Sequence, residues 1–215
     1  MAKRIVIYLI GLSITALGSA LVILSDVGTG PLDSAVVALN RIFGLTIGMW
    51  GFITQVIIIM IVMVIERRRP RLGSIVTLMI RSWILDIWFY LVLGNINLTS
   101  TWELQWFSFI MGTLALGIGI GIYMEAKFPR MPVDALMIAI HNRFKLSLNT
   151  SRVTIECLFA LFGFILGGPV GIGTLIIAIT LGRIIQLSNR YTIRLAELSE
   201  QVKKQKNEMT SRVEQ

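Results

Sequence analysis

The chain has 215 residues, of which 55% are hydrophobic and 15% charged, with a mean hydropathy of +0.77. Soluble domains carry about a quarter of their residues as charges, so this composition excludes an ordinary soluble globular protein. A net charge of +8 and a pI of 10.2 would suggest nucleic acid as the partner of a soluble chain, and here the placement of the charges decides their meaning.

A bilayer core of about 30 Å asks for roughly 20 apolar residues per helical crossing. Six stretches meet or approach that length, from Ile5 to Leu24, Thr46 to Ile65, Gly73 to Leu93, Trp106 to Met124, Val153 to Leu166 and Ile172 to Leu187, the last two being the shortest. Lys3 and Arg4 ahead of the first run resemble a secretory leader, but cleavage after Ala20 would leave five further spans, which favours a retained helix. The expectation is an all-α integral membrane domain over residues 1–187 and a charged tail over 188–215. Cys157 lies inside the fifth run and reads as a buried, inert thiol.

Basic residues fall in alternate segments. Lys3 and Arg4 precede the first run, Arg67, Arg68, Arg69 and Arg71 follow the second, and Lys127, Arg130, Arg143 and Lys145 follow the fourth. Arg190, Arg194, Lys203, Lys204, Lys206 and Arg212 lie in the C-terminal region, whereas the other three loops hold only Arg41. Positive loops stay cytoplasmic, so both termini are expected inside a bacterial inner membrane, which requires an even number of crossings. Trp50, Trp88, Trp102 and Trp106 gather near the expected outer interface. The basic charge thus reads as orientation and contact with lipid headgroups, with no nucleic acid as partner.

An internal repeat organises the rest. Residues from Gly11 to Ile65 align with Gly112 to Leu166 at a constant offset of 101, matching Gly11 with Gly112, Gly18 with Gly119, Pro31 with Pro132, Asp33 with Asp134, Ala38 with Ala139, Phe43 with Phe144 and Leu45 with Leu146. A one-residue slip then brings Gly73-Ser74 onto Gly173-Thr174. Repeat 1 covers about 5–93 and repeat 2 about 106–187. Three crossings per copy is odd, so the second copy enters the membrane the other way up, as an inverted repeat. Pro31 to Phe43 and Pro132 to Phe144 are too short to cross; they are amphipathic and either lie flat or re-enter, and the compact Gly28-Thr29-Gly30 turn favours re-entry.

The polar residues inside these runs are the site candidates. Asp33 and Asp134 follow helix-initiating prolines, where an acid complements the helix dipole; the functional reading places them facing a shared cavity, binding a cation, a proton or a polar solute. Arg81 sits roughly 12 Å into the third span, with Asp86 as the nearest candidate partner. Gln55 and Glu156 are equivalent in the repeat and read as a symmetric lining. Gly11, Gly18, Gly117, Gly119 and Gly121 read as close helix-packing surfaces. His141 is read as an interfacial side chain. No metal spacing, nucleophile elbow or phosphate loop is present, so neither an enzyme nor a cofactor is expected. In the tail, Leu195, Leu198 and Val202 recur at helical spacing among charges.

Gly11 and Gly18, the run Gly28-Thr29-Gly30-Pro31-Leu32-Asp33, Gly48, and Gly171-Ile172-Gly173-Thr174 resemble the YczE/YyaS/YitT group of bacterial multi-pass membrane proteins, and more closely its YczE-like branch. The second copy has Pro129-Arg130-Met131 where the first has its glycine turn. The resemblance implies a bacterial plasma membrane and adds little mechanism. Two functions remain open. One is a small secondary transporter of a solute or ion, lined by Asp33, Asp134, Arg81, Asp86, Gln55 and Glu156. The other is a non-transporting accessory protein that recruits cytoplasmic machinery, for instance in production of a secreted metabolite. The partners are the lipid bilayer and a small solute or ion, and the sequence is compatible with a homo-oligomer without fixing one.

Overall fold

A computed structural model of the chain describes residues 2–67, 73–125 and 131–213, with side chains over 4–67, 75–125, 131–148 and 150–194. All regular structure among them is helical. In chain order it comprises α1 (Ala2–Ser25), α2 (Pro31–Phe43), α3 (Ile47–Glu66), α4 (Gly73–Asp86) running on as a π-helical segment (Ile87–Val92), α5 (Trp102–Glu125), α6 (Pro132–Phe144), α7 (Leu148–Ile165) and α8 (Ile172–Val213). Arg68, Arg69, Arg71, Lys127, Pro129 and Arg130 lie outside the described residues, as do the side chains of Lys3, Leu195, Leu198, Val202, Lys203, Lys204, Lys206 and Arg212.

Five of these helices are long and apolar enough to cross a bilayer: Arg4–Ser25, Ile47–Glu66, Ile75–Val92, Trp102–Glu125 and Ile172–Arg194. The fifth expected span, α7, has its side chains described without a break only over 150–165, too short a stretch to be compared with these five. Its first half carries Thr150, Ser151, Arg152, Thr154 and Glu156, which leaves an apolar stretch of little more than two turns.

The molecule is built around the crossing of α1 and α5. A Cβ placed on Gly11 would meet Gly119 O and the backbone of Tyr123, while one on Gly18 would meet Gly112 O and the backbone of Leu116. Side chains at these four positions would force the helices apart, so glycine sets the approach. Gly11 pairs with Gly119 and Gly18 with Gly112, so the two helices run antiparallel. The other packing partners obey the same exchange of halves: α2 lies on α7 and α3 on α6, while α1 lies on α4 and α5 on α8. Gly117 and Gly121 make the last of these contacts, against Ile184 and Ser188.

Local devices recur at the same spacing. The bounds of α2 and α6 differ by 101 at both ends, and α3 and α7 begin 101 apart. Thr46 caps α3 by accepting from Met49 N–H at 3.1 Å, and Ser147 caps α7 by accepting from Thr150 N–H at 3.0 Å. Asn40 Nδ2 donates to Leu45 O, and its counterpart His141 uses Nδ1 to reach Leu146 O. His141 therefore ties a helix end to the following turn.

The two short helices are not equally enclosed. In α2 the five consecutive residues Ser34 to Ala38 are buried, more than a full turn, so protein surrounds the helix there on every side. In α6 burial falls on Pro132, Leu136 and Ala139, a single face. The approach to α2 is held by the segment before α8. Thr29 N–H donates to Pro169 O at 3.0 Å and Gly173 N–H to Val27 O at 3.2 Å. Gly28 has φ +134°, a conformation that L side chains rarely adopt, and a Cβ there would also strike Thr174.

One expectation is corrected. Cys157 is exposed on the outward face of α7, not buried. Apolar neighbours in sequence do not distinguish a core position from an outward one when both faces of a helix are apolar.

Candidate functional site

Arg81 is the hub of the polar interior. It lies two turns into α4, half-buried, and its Nε is sealed from solvent without a hydrogen-bond partner among the described residues. Its charge acts on Asp33 of α2, on Tyr8 of α1 and on Tyr123 of α5. Tyr123 also feels the charge of Asp134 from α6. The rings of Tyr8 and Tyr123 meet edge to face, with centroids 6.0 Å apart and planes at 82°. The Tyr8 hydroxyl is hydrogen-bonded to the side chain of Thr77, one turn before Arg81. The arginine of α4 is thus linked by charge to groups on α1, α2 and α5, and α6 reaches the group only through Asp134 and Tyr123.

Asp33 occupies an unusual position in this group. It is half-buried in the first turn of α2. Its Oδ2 folds back over the start of its own helix, 3.6 Å from where a Gly30 Cβ would stand, without capping a backbone N–H. A carboxylate here is favoured by the positive end of α2 and by Arg81 and opposed by loss of water.

The six residues singled out from sequence fall into two sets. Asp33, Arg81 and Asp134 join this electrostatic network. Asp86 does not pair with Arg81: its Oδ1 accepts from Gly48 N–H at 2.7 Å and its Oδ2 from the Thr46 hydroxyl, so both oxygens are used to hold the start of α3. Tyr90 OH accepts from Ile47 N–H at 3.2 Å beside it. Two of the orphan backbone donors that open α3, Ile47 N–H and Gly48 N–H, are thereby satisfied from α4 and its π-helical extension. Glu156 pairs with Arg152 one turn away at 2.9 Å, at the protein's edge. Gln55 is 2% exposed with its Oε1 unpartnered, and nothing among the described residues links it to Arg81. Trp88, expected at an interface, turns inward and donates Nε1–H to Ser13 Oγ at 3.2 Å.

Tyr8, Thr77 and Tyr123 were not legible as site residues one at a time. Comparison of the two copies exposes them. At the 101-residue offset Tyr8 corresponds to Phe109 and Tyr123 to Val22; at the offset of 100 that applies after the slip, Thr77 corresponds to Ile177 and Arg81 to Leu181. Val22, Phe109, Ile177 and Leu181 form a dry apolar cluster of their own. One set of equivalent positions is therefore polar and the other apolar. Helix packing alone does not ask for that difference.

No metal-binding cluster of His, Cys, Asp and Glu is present among the described residues. An open pocket of about 290 Å³ lies between the C-terminal ends of α3 and α6, bordered by Ile65, Glu66, Ala139, Asn142 and Arg143. No charge or hydrogen bond among the described residues connects it to Arg81.

The chain and the known proteins it resembles cover most of each other's length. It is 34% identical over 169 residues to the uncharacterized protein YyaS of Bacillus subtilis (strain 168), covering 79% of this chain and 84% of that one. It is 30% identical over 191 residues to the uncharacterized membrane protein YczE of the same organism, covering 87% and 86%. An uncharacterized protein of Haemophilus influenzae is 29% identical over 198 residues, covering 91% and 88%. No solved structure matches. Together with five helices of crossing length, the likeness to YczE marks the chain as a membrane protein. Residues 2–190 match the model of a family of unknown function, DUF6198, and the chain belongs to that family.

Proposed function

We propose that the protein is a small secondary transporter of the bacterial inner membrane. In this reading it has six spans arranged as two inverted halves, with both termini in the cytoplasm. The observation that carries it is the convergence of Asp33 from one half and Asp134 from the other on the surroundings of a single half-buried arginine. Intramembrane charges are costly and are normally kept for a pathway or a binding site. The antiparallel crossing of α1 and α5 supports the inversion, because equivalent helices of inverted halves must run in opposite directions. The enclosed start of α2 supports a re-entrant element whose N-terminus faces the middle of the molecule, the arrangement carriers use for polar cargo. α7 is the sixth span in this reading, its polar first half lying toward the headgroups and its Arg152–Glu156 pair lowering the cost of entry.

Uptake of radiolabelled amino acids, monocarboxylates, phosphate and monovalent cations into liposomes holding the purified chain tests it. At least one solute should enter above protein-free vesicles, and Asp33→Asn should reduce its rate at least about tenfold, the scale of losing one charged contact of roughly 1.4 kcal/mol or more. Glu156→Gln should leave it unchanged. Entry of none of these solutes into vesicles containing folded protein would sink the reading.

A further inference from the structure

The pocket of about 290 Å³ between the ends of α3 and α6 has a counterpart in the other half of the chain, and there the gap is bridged. At the 101-residue offset α2 corresponds to α6, α3 to α7, and Arg41 to Asn142. Arg41, on the last turn of α2, donates from Nη1 to Gly167 O at 3.2 Å, just past the end of α7, and its Nη2 lies 4.0 Å from Asp26 Oδ1. A cation of the protein itself thus spans those two helix ends. Asn142 is shorter and neutral, and among the described residues it makes no such bridge to the end of α3.

Two opposite charges line the gap that stays open. Glu66 stands on the last turn of α3, which carries no basic residue, and Arg143 stands on the last turn of α6. Both are exposed, and among the described residues neither takes part in an ion pair or a hydrogen bond, with the other or with Arg67. The last carbonyls of a helix lack intrahelical donors, so the negative end of α3 adds to the charge of Glu66. On the facing wall, Arg143 and the Asn142 amide are donors, and His141 and Arg143 answer the dipole of α6. Ile65 and Ala139, the latter 1% exposed, supply the apolar part of the lining.

An anion alone in this space would meet Glu66, and a cation alone would meet Arg143. We infer that the pocket binds a compact zwitterion, with a primary ammonium and an acidic group a few bonds apart. The ammonium takes the place at the end of α3 that the Arg41 guanidinium takes at the end of α7, donating to the Glu66 carboxylate and the open carbonyls. The acidic group accepts from Arg143 and Asn142. Ligand cavities run from about 300 to 1,000 Å³, so this one suits a small molecule or a headgroup. Glu66 closes a helix of crossing length, Ile47–Glu66, which puts the pocket near the level of the lipid headgroups. An aminophospholipid headgroup and a free amino acid share the required chemistry. The site stands apart from Arg81, and its occupancy does not depend on transport.

Binding to the purified full chain is measured in two arms. Native mass spectra from mixed micelles compare retained phosphatidylethanolamine with phosphatidylglycerol, and calorimetric titration follows phosphoethanolamine and glycine. At least one of the three zwitterions should bind, and phosphatidylglycerol, which has no ammonium, should be retained less than phosphatidylethanolamine. Glu66→Gln and Arg143→Gln should each weaken binding by about threefold or more, the scale of one exposed charge contact. Lys145→Gln, which removes an exposed charge outside the lining, should leave it unchanged. Asn142→Arg, which gives α6 the bridging side chain that α2 has, should abolish binding with the helical content retained by circular dichroism, and it serves if a charge-removing variant does not fold. Retention of phosphatidylethanolamine without binding of the free compounds identifies a lipid headgroup as the occupant; binding of a free compound identifies a soluble one. Binding of none of the three, a preference for phosphatidylglycerol, or an affinity indifferent to Glu66→Gln, Arg143→Gln and Asn142→Arg would overturn the inference.

Discussion

Glycine at four positions of α1 and α5 has the clearest mutational consequence. A methyl group on Gly18 or Gly119 would fall inside the facing backbone, which cannot yield as a flexible side chain can. Gly18→Ala should cost about 1 to 3 kcal/mol, the range of overpacked cores, read as lower thermal stability in detergent. Asp86 supplies a contrasting case. Asp86→Ala removes the acceptor for Gly48 N–H and for the Thr46 hydroxyl, so α3 should lose about 1 kcal/mol at its start, with faster hydrogen exchange at Gly48 and little effect on solute binding at Arg81. From sequence alone Asp86 was the nearest candidate partner for Arg81, although five residues along a helix puts it about 140° round. The fold gives the acid to a neighbouring helix terminus, a contact that depends on how α3 and α4 pack and has no local signature.

At the scale of elements, α2 and α6 were readable to the residue, since Pro at the first helical position and an acid two residues on define a helix start wherever they occur. The difference in their enclosure was not readable: it arises from Gly163 and Gly168, which let α7 and the turn after it approach Ser34 closely. The π-helical end of α4 was hidden too. There Leu93 N–H bonds to Trp88 O at 2.9 Å, and the wider turn presents Tyr90 to α3, as π-turns tend to do where a side chain must be aimed. The backbone pairing between residues 27–29 and 169–173 makes the clearest element-scale prediction. In a Cys157→Ser background, a Thr29→Cys, Pro169→Cys pair should form a disulfide on mild oxidation, because their backbones are hydrogen-bonded at 3.0 Å. If the carrier must part these segments to turn over, oxidation should stop uptake and reduction restore it; undiminished uptake with the bond formed would show that the segments stay together throughout.

For the molecule as a whole, hydropathy and the 101-residue spacing together announced a helical membrane class and the bounds of α2, α6 and the starts of α3 and α7, because lipid imposes length and the matching residues mark the same helix starts. Neither announced that polar character would gather around only one of two equivalent helix crossings. That information lies in the differences between the copies, at Tyr8 against Phe109 and Arg81 against Leu181, and becomes meaningful once α1, α4 and α5 are brought together. Orientation has its own test. In a Cys157→Ser background, an impermeant thiol reagent should label Asn97→Cys in intact cells and label Glu66→Cys only after the membrane is opened, as the basic loops require.

The glycine crossing also bears on how the chain is made. α1 leaves the ribosome about 100 residues ahead of the helix that covers its glycine face, a delay of roughly 5 to 20 s at about 5 to 20 residues per second. During that interval the groove formed by Gly11 and Gly18 has no mate of its own chain, and the first half of the nascent protein is open to a substitute helix or to a protease. Biogenesis thus depends on holding one half in wait for the other, and a chain stopped after α4 should be short-lived in the membrane.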